Sequence, residues 1–130
     1  MKSSRAILVV DDNPRLCELA KGALGADGWD VEVAGSRRAA LAVAARRPFA
    51  LALSDYAMPG GDGLLLLSEL RRLQPHCCVV LWSADLPAAA ASRASAIGVQ
   101  VLPGKLLGDR LCEMARASLA PMTSARPFSD

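Results

Sequence analysis

Short aliphatic runs bounded by polar residues alternate along this chain with segments of helical periodicity. Ile7-Leu8-Val9-Val10 is the first such run, and its length and branching read as a buried strand. Asn13 and Pro14 then supply a helix start, an N-cap followed by a proline suited to the first helical position. Leu16, Leu19, Ala20, Ala23 and Leu24 recur at helical spacing until Gly25 and Gly28 end the helix. Val31 and Val33 mark a second strand, and Ser36 caps a helix from Arg37 to Arg46 that buries Ala40, Leu41 and Ala44. Pro48 breaks that helix and leads into a third strand, Leu51-Ala52-Leu53-Ser54, ending at Asp55. Beyond a loop dense in turn formers, Met58 to Gly63, a helix is predicted from about Leu64 to Leu73, stopped by Gln74-Pro75. Cys77 to Trp82 reads as a fourth strand buried on both faces, Leu86 to Ile97 as an alanine-rich helix ended by Gly98, and Val99 to Leu102 as a fifth strand. The last helix is predicted over about Asp109 to Leu119. Strand and helix thus alternate five times, and right-handed crossovers favour an α/β fold, a three-layer sandwich around a central parallel sheet.

Composition narrows this further. A chain of 130 residues with 52% hydrophobic residues suits one compact domain with a proper core. That domain is expected over residues 1–119, with a flexible tail over 120–130 that contains Pro121 and Pro127. The net charge of +2 is too mild to call for nucleic acid or an anionic membrane as partner. The pairs Arg37-Arg38, Arg46-Arg47 and Arg71-Arg72 read as solvated helix charge. Cys17, Cys77, Cys78 and Cys112 lack CxxC spacing and read as reduced, mostly buried small hydrophobes. His76, the only histidine, lies beside a proline in a turn and has no nucleophile near it in the pattern. The apolar run after the charged start stops at Asp11, too short for a signal-peptide core or a membrane span, so a cytoplasmic location is expected.

Chemistry concentrates at the strand ends. The first strand runs into Asp11-Asp12 and the third into Asp55, and ligand sites of open parallel α/β sheets lie beyond the carboxyl ends of strands. If the two strands are neighbours, three carboxylates meet at one rim. Their mutual repulsion calls for a cation or a lysine, and an oxygen-only donor set selects a hard ion such as Mg²⁺. Ser83 ends the fourth strand and Lys105 follows the fifth, which adds a hydroxyl and an ammonium to the same rim.

The Asp11-Asp12 pair, Asp55, the Met58-Pro59-Gly60 loop, Ser83 and Lys105 agree in order and spacing, and from about Ala6 to Leu119 the chain strongly resembles the receiver domain of two-component response regulators. The resemblance implies the CheY-like, flavodoxin-like fold with a five-stranded parallel sheet in the order 2-1-3-4-5. It implies Asp55 as phosphoacceptor, attacking the phosphohistidine of a histidine kinase or phosphotransfer protein. Mg²⁺ would bind to Asp12, Asp55 and the backbone carbonyl of Ala57, with Asp11 acting through a water on the ion. Lys105 would pair with Asp55 before transfer and with a phosphoryl oxygen after it. The Ser83 hydroxyl and the Ala84 backbone N–H would meet other phosphoryl oxygens. Three acids, one Mg²⁺ and one lysine sum to zero charge, and phosphorylation adds about one negative charge, which recruits donors and can bias a two-state element.

The chain departs from the family pattern in two places. Leu106 stands where a proline usually follows the lysine through a cis peptide. A non-proline cis bond costs about 2.5 to 4 kcal/mol, so a trans bond with a remodelled loop, or a strained exception, is expected. Leu102 occupies the switch position that commonly carries a Tyr or Phe, so any signal is expected to travel by backbone and helix-four shifts rather than by a ring changing pose. Eleven residues after Leu119 are too few for an output domain, and the chain is expected to signal to a downstream protein without touching nucleic acid or membrane. The alternatives are a pseudo-receiver that serves as a protein-binding scaffold and an aspartyl-phosphate phosphohydrolase. The second needs an acid two residues after its nucleophile, where this chain has Ala57 after Asp55 and Asn13 after Asp11.

Overall fold

The computed structural model describes residues 5–58, 62–83, 85–102 and 104–123. They form the strands β1 (Ala6–Val10), β2 (Asp30–Ala34), β3 (Leu51–Asp55), β4 (Cys78–Trp82) and β5 (Gln100–Leu102). Between and after the strands come the helices α1 (Pro14–Ala26), α2 (Arg37–Ala44), α3 (Gly63–Leu73), α4 (Ala88–Ala96) and α5 (Gly108–Thr123). The sheet is parallel throughout, in the order β2-β1-β3-β4-β5. This is the order the resemblance implied. Among the described residues no helix is long and apolar enough to cross a membrane.

Side chains alternate across a strand, so each strand feeds two cores. Ile7, Val9, Leu53 and Trp82 gather with Leu24 of α1 and Leu111 of α5 on one face. Leu8, Val10, Ala52 and Leu81 gather with Ala40 of α2, Leu67 of α3 and Ala94 of α4 on the other. β1 and the first four residues of β3 are buried, as their unbroken apolar runs require.

Local chemistry fixes the helix starts. The Asn13 side chain accepts hydrogen bonds from Arg15 N and Leu16 N, and the Ser36 hydroxyl accepts from Ala39 N. The Asp62 carboxylate caps α3 by accepting from Leu65 N at 2.8 Å. α4 has no side-chain cap, and Pro87 stands at its N-cap position, so the helix begins two residues after Leu86.

Three sequence expectations shift. Leu19 is 49% exposed rather than buried. α1 turns Cys17, Ala20 and Leu24 inward, and a position two residues past Cys17 points about 200° away from it. α2 stops at Ala44 rather than Arg46. α5 runs to Thr123, four residues into the expected tail. Pro121 removes only one hydrogen bond near the helix end, and Ala120 and Met122 favour helix. The rest of that tail lies outside the described residues, as do Pro59, Gly60 and Ala84 of the expected site.

Candidate functional site: an acid and lysine cluster at the sheet rim

β1 and β3 are neighbours with Val10 opposite Ser54, so Asp11 and Asp55 leave the sheet side by side. Asp12 follows Asp11 and is exposed. One carboxylate oxygen from each of Asp11, Asp12 and Asp55 lies within 4.8 Å of the other two. This convergence is what the strand ends predicted.

Lys105 completes the cluster from the loop after β5. Its Nζ donates to Asp11 Oδ2 and lies 3.2 Å from Asp55 Oδ1. The sequence pointed to the Asp55 partner; the contact with Asp11 was not anticipated. Asp11 is 2% exposed and also accepts from Asn13 N at 3.0 Å, while its own carbonyl receives the Cys17 thiol. A buried carboxylate with an ammonium and a backbone donor is well compensated, whereas the same group alone would be costly. Burial raises the pKa of Asp55 above the usual carboxylate value, and the Asp11 charge adds to the rise, against the pull of Lys105.

The Lys105–Leu106 peptide is trans, so the lysine reaches both acids without the bond geometry that the missing proline would favour. Beneath it lies Trp82, fully buried, with its ring centroid 5.2 Å from Lys105 Nζ. Trp82 sits opposite Asp55 in the β3–β4 register and opposite Leu102 in the β4–β5 register. The signal for this contact was the place of Trp82 at the end of a strand, one residue before Ser83.

Ser83 follows the end of β4, Leu102 ends β5, and Ala57 follows β3. Ser83 is buried, and its backbone N–H donates to Leu102 O. Among the described residues its hydroxyl makes no hydrogen bond to the acids. Leu102 is half-buried against the core that contains Trp82. Ala57 is exposed in the bend that follows β3.

Gly63 supports the site from behind. Its N–H donates to Tyr56 O at 2.7 Å, and the Ser54 hydroxyl donates to Asp55 O at 2.9 Å. A Cβ on Gly63 would fall 1.8 Å from Asp55 O. A glycine at the first position of a helix, where its propensity is poor, was the sequence signal for this close approach.

The cluster fits a divalent cation. Lys105 offsets one of three carboxylate charges, leaving two, and every candidate donor is an oxygen.

Comparison with known proteins agrees with this geometry. The sequence profile of the response regulator receiver domain matches residues 7–110. Transcriptional regulatory protein AruR of Pseudomonas aeruginosa is 44% identical over 70 residues, which are 50% of this chain and 29% of AruR. The chain thus spans under a third of that relative's length. A CheY-like response regulator receiver domain protein from Methanospirillum hungatei superposes with a TM-score of 0.87 at 25% identity, covering 95% of this chain and all of that one. Response regulator TrrA from Thermotoga maritima, in a structure described as a complex with Mg²⁺-BeF, gives 0.74 at 29% identity, covering 88% of this chain and 98% of that one. With five parallel strands in the receiver order, an acid pair and a third acid meeting at one rim, and a matched profile over most of its length, the chain belongs to the response regulator receiver domain family of two-component systems.

Proposed function

We propose that Asp55 accepts a phosphoryl group from the phosphohistidine of a histidine kinase or phosphotransfer protein in the cytoplasm, and that the altered surface is read by a downstream protein. The observation that carries this reading is the convergence of Asp11, Asp12, Asp55 and Lys105 on one rim. In the transfer, an Asp55 carboxylate oxygen attacks phosphorus and forms a P–O bond. The P–N bond to the donor breaks, its electron pair stays on the imidazole nitrogen, and that nitrogen takes a proton from water. The product is an acyl phosphate. Such a reaction needs in-line positioning and charge neutralisation more than a protein base, so a site without histidine suits it.

Asp11, Asp12, Asp55 and the Ala57 carbonyl would hold Mg²⁺, which supplies neutralisation of the phosphoryl oxygens. Lys105 turns its ammonium from Asp55 toward a phosphoryl oxygen, and the Ser83 hydroxyl and the Ala84 N–H meet the others. TrrA, whose structure is described with Mg²⁺-BeF, supports this assignment by similarity. A protein is the proposed partner rather than DNA. The net charge of +2 is too mild to call for DNA.

Acetyl phosphate with Mg²⁺ should place one phosphoryl group on Asp55, read by intact mass and peptide mapping. Chelating the metal should abolish the adduct, and so should Asp55→Asn. An unmodified wild-type protein under these conditions would turn the assignment toward a binding scaffold.

A further inference from the structure

Lys105 has little in its own backbone to aim it. Gly104 precedes it with open space where a side chain would lie, and Leu106 follows in a trans peptide. The side chain is nonetheless three-quarters buried and touches two carboxylates from two different strands. Something outside the loop sets its direction.

The surface beneath the ammonium is the indole of Trp82, at a distance within the roughly 6 Å range of a cation–π contact. Pairing to β3 and β5 fixes the Trp82 backbone, and the ring shares its core with Leu106, the residue next to the lysine. The indole N–H is buried and, among the described residues, without a hydrogen-bond partner. An unpaired buried donor is unfavourable, and a phenylalanine would fill much of the same space without it. What tryptophan adds is the strongest ring face for a cation. We propose that Trp82 is a positioning residue, whose ring face holds the Lys105 ammonium toward Asp11 and Asp55 where the loop itself does not. Its consequence for phosphotransfer rests on Asp55 being the phosphoacceptor; the placement of the lysine does not.

Two readouts on the full chain test this. In NMR spectra the Lys105 Cε protons should resonate upfield of the other lysines, shifted by the indole ring current. Trp82→Met keeps apolar bulk without a ring and should return them to the ordinary range, whereas Trp82→Phe should leave an intermediate shift. With acetyl phosphate and Mg²⁺, the rate of Asp55 modification should fall about tenfold in Trp82→Met and less in Trp82→Phe, in line with a partly desolvated cation–π contact. Ordinary Lys105 shifts in the wild type would overturn the proposal whatever the phosphorylation result. Met and Phe variants that both keep the wild-type rate of Asp55 modification would also overturn it, since apolar bulk alone would then suffice. Should Trp82→Met fail to fold, the wild-type and Trp82→Phe spectra still decide the point. An upfield Lys105 signal in a wild type that takes no phosphate would support the positioning and count against the phosphoacceptor assignment.

Discussion

At Gly63 a single hydrogen atom keeps the site open. An added methyl would collide with the Asp55 carbonyl carbon and oxygen and with the Ser54 hydroxyl, two of them backbone atoms that cannot swing aside. Relief requires moving either the first turn of α3 or the end of β3, and the second carries the Asp55 carboxylate. Overpacking of this kind costs about 1–3 kcal/mol, and contact with backbone puts Gly63→Ala at the upper end. The variant should lower the urea unfolding midpoint and slow Asp55 modification by acetyl phosphate together. A variant with the wild-type midpoint would show that the α3 start yields freely, against the tight Gly63–Tyr56 hydrogen bond.

Between elements, long polar side chains do work that their sequence pattern hides. Arg37 on α2 makes a two-pronged ion pair with Glu69 on α3, at 2.8 and 2.6 Å. Arg47 bridges to Asp30 and Glu32 on the edge strand β2, and Arg71 donates to the carbonyls of Ile97 and Gly98 after α4. One member of each arginine pair is therefore an inter-element tie rather than solvated charge. Gln74 goes further. Its Oε1 accepts from Phe49 N at 2.7 Å, and its Nε2 donates to the carbonyls of Ala44 and Arg47. The end of α3 thereby holds the connection from α2 into β3, the strand that presents Asp55. Gln74→Ala leaves three backbone groups without that partner. Because the site is partly buried, water can satisfy some of them, and the loss should be about 1–3 kcal/mol. Chemical denaturation checks the magnitude, and hydrogen exchange should show faster opening of Phe49 N; an unperturbed Phe49 amide would remove the clamp.

Across the whole molecule, legibility followed burial. The strands and the acid rim could be read because β1, β3 and β4 are apolar runs that end in chemistry, and a parallel sheet puts such ends together. The start of α4 was blurred because its alanines bury only Ala90 and Ala94 and no side chain caps it. Leu19, the arginine ties and the contacts of Lys105 with Asp11 and Trp82 depend on tertiary placement, which periodicity does not encode. The cysteines were read as small buried hydrophobes, and all four are free thiols, three buried and Cys78 half-buried. This has a consequence for the entire fold at high pH. Burial pushes the Cys77 thiol from an ordinary 9.0 up to about 12, and burial also raises Cys17, Cys78 and Cys112. A raised folded-state value means the native protein keeps a proton that the unfolded chain releases. The associated stability is therefore complete below the ordinary thiol value and lost as pH rises from there through the folded value. For one such thiol the slope is at most about 1.4 kcal/mol per pH unit. The urea midpoint should accordingly fall between pH 9 and 11, and less steeply in Cys77→Ala. Every other ionisable group is common to both proteins, so the difference between the two slopes isolates the Cys77 thiol. Equal slopes would mean that Cys77 ionises as easily in the folded protein as in the unfolded chain, against its burial beside the start of β4.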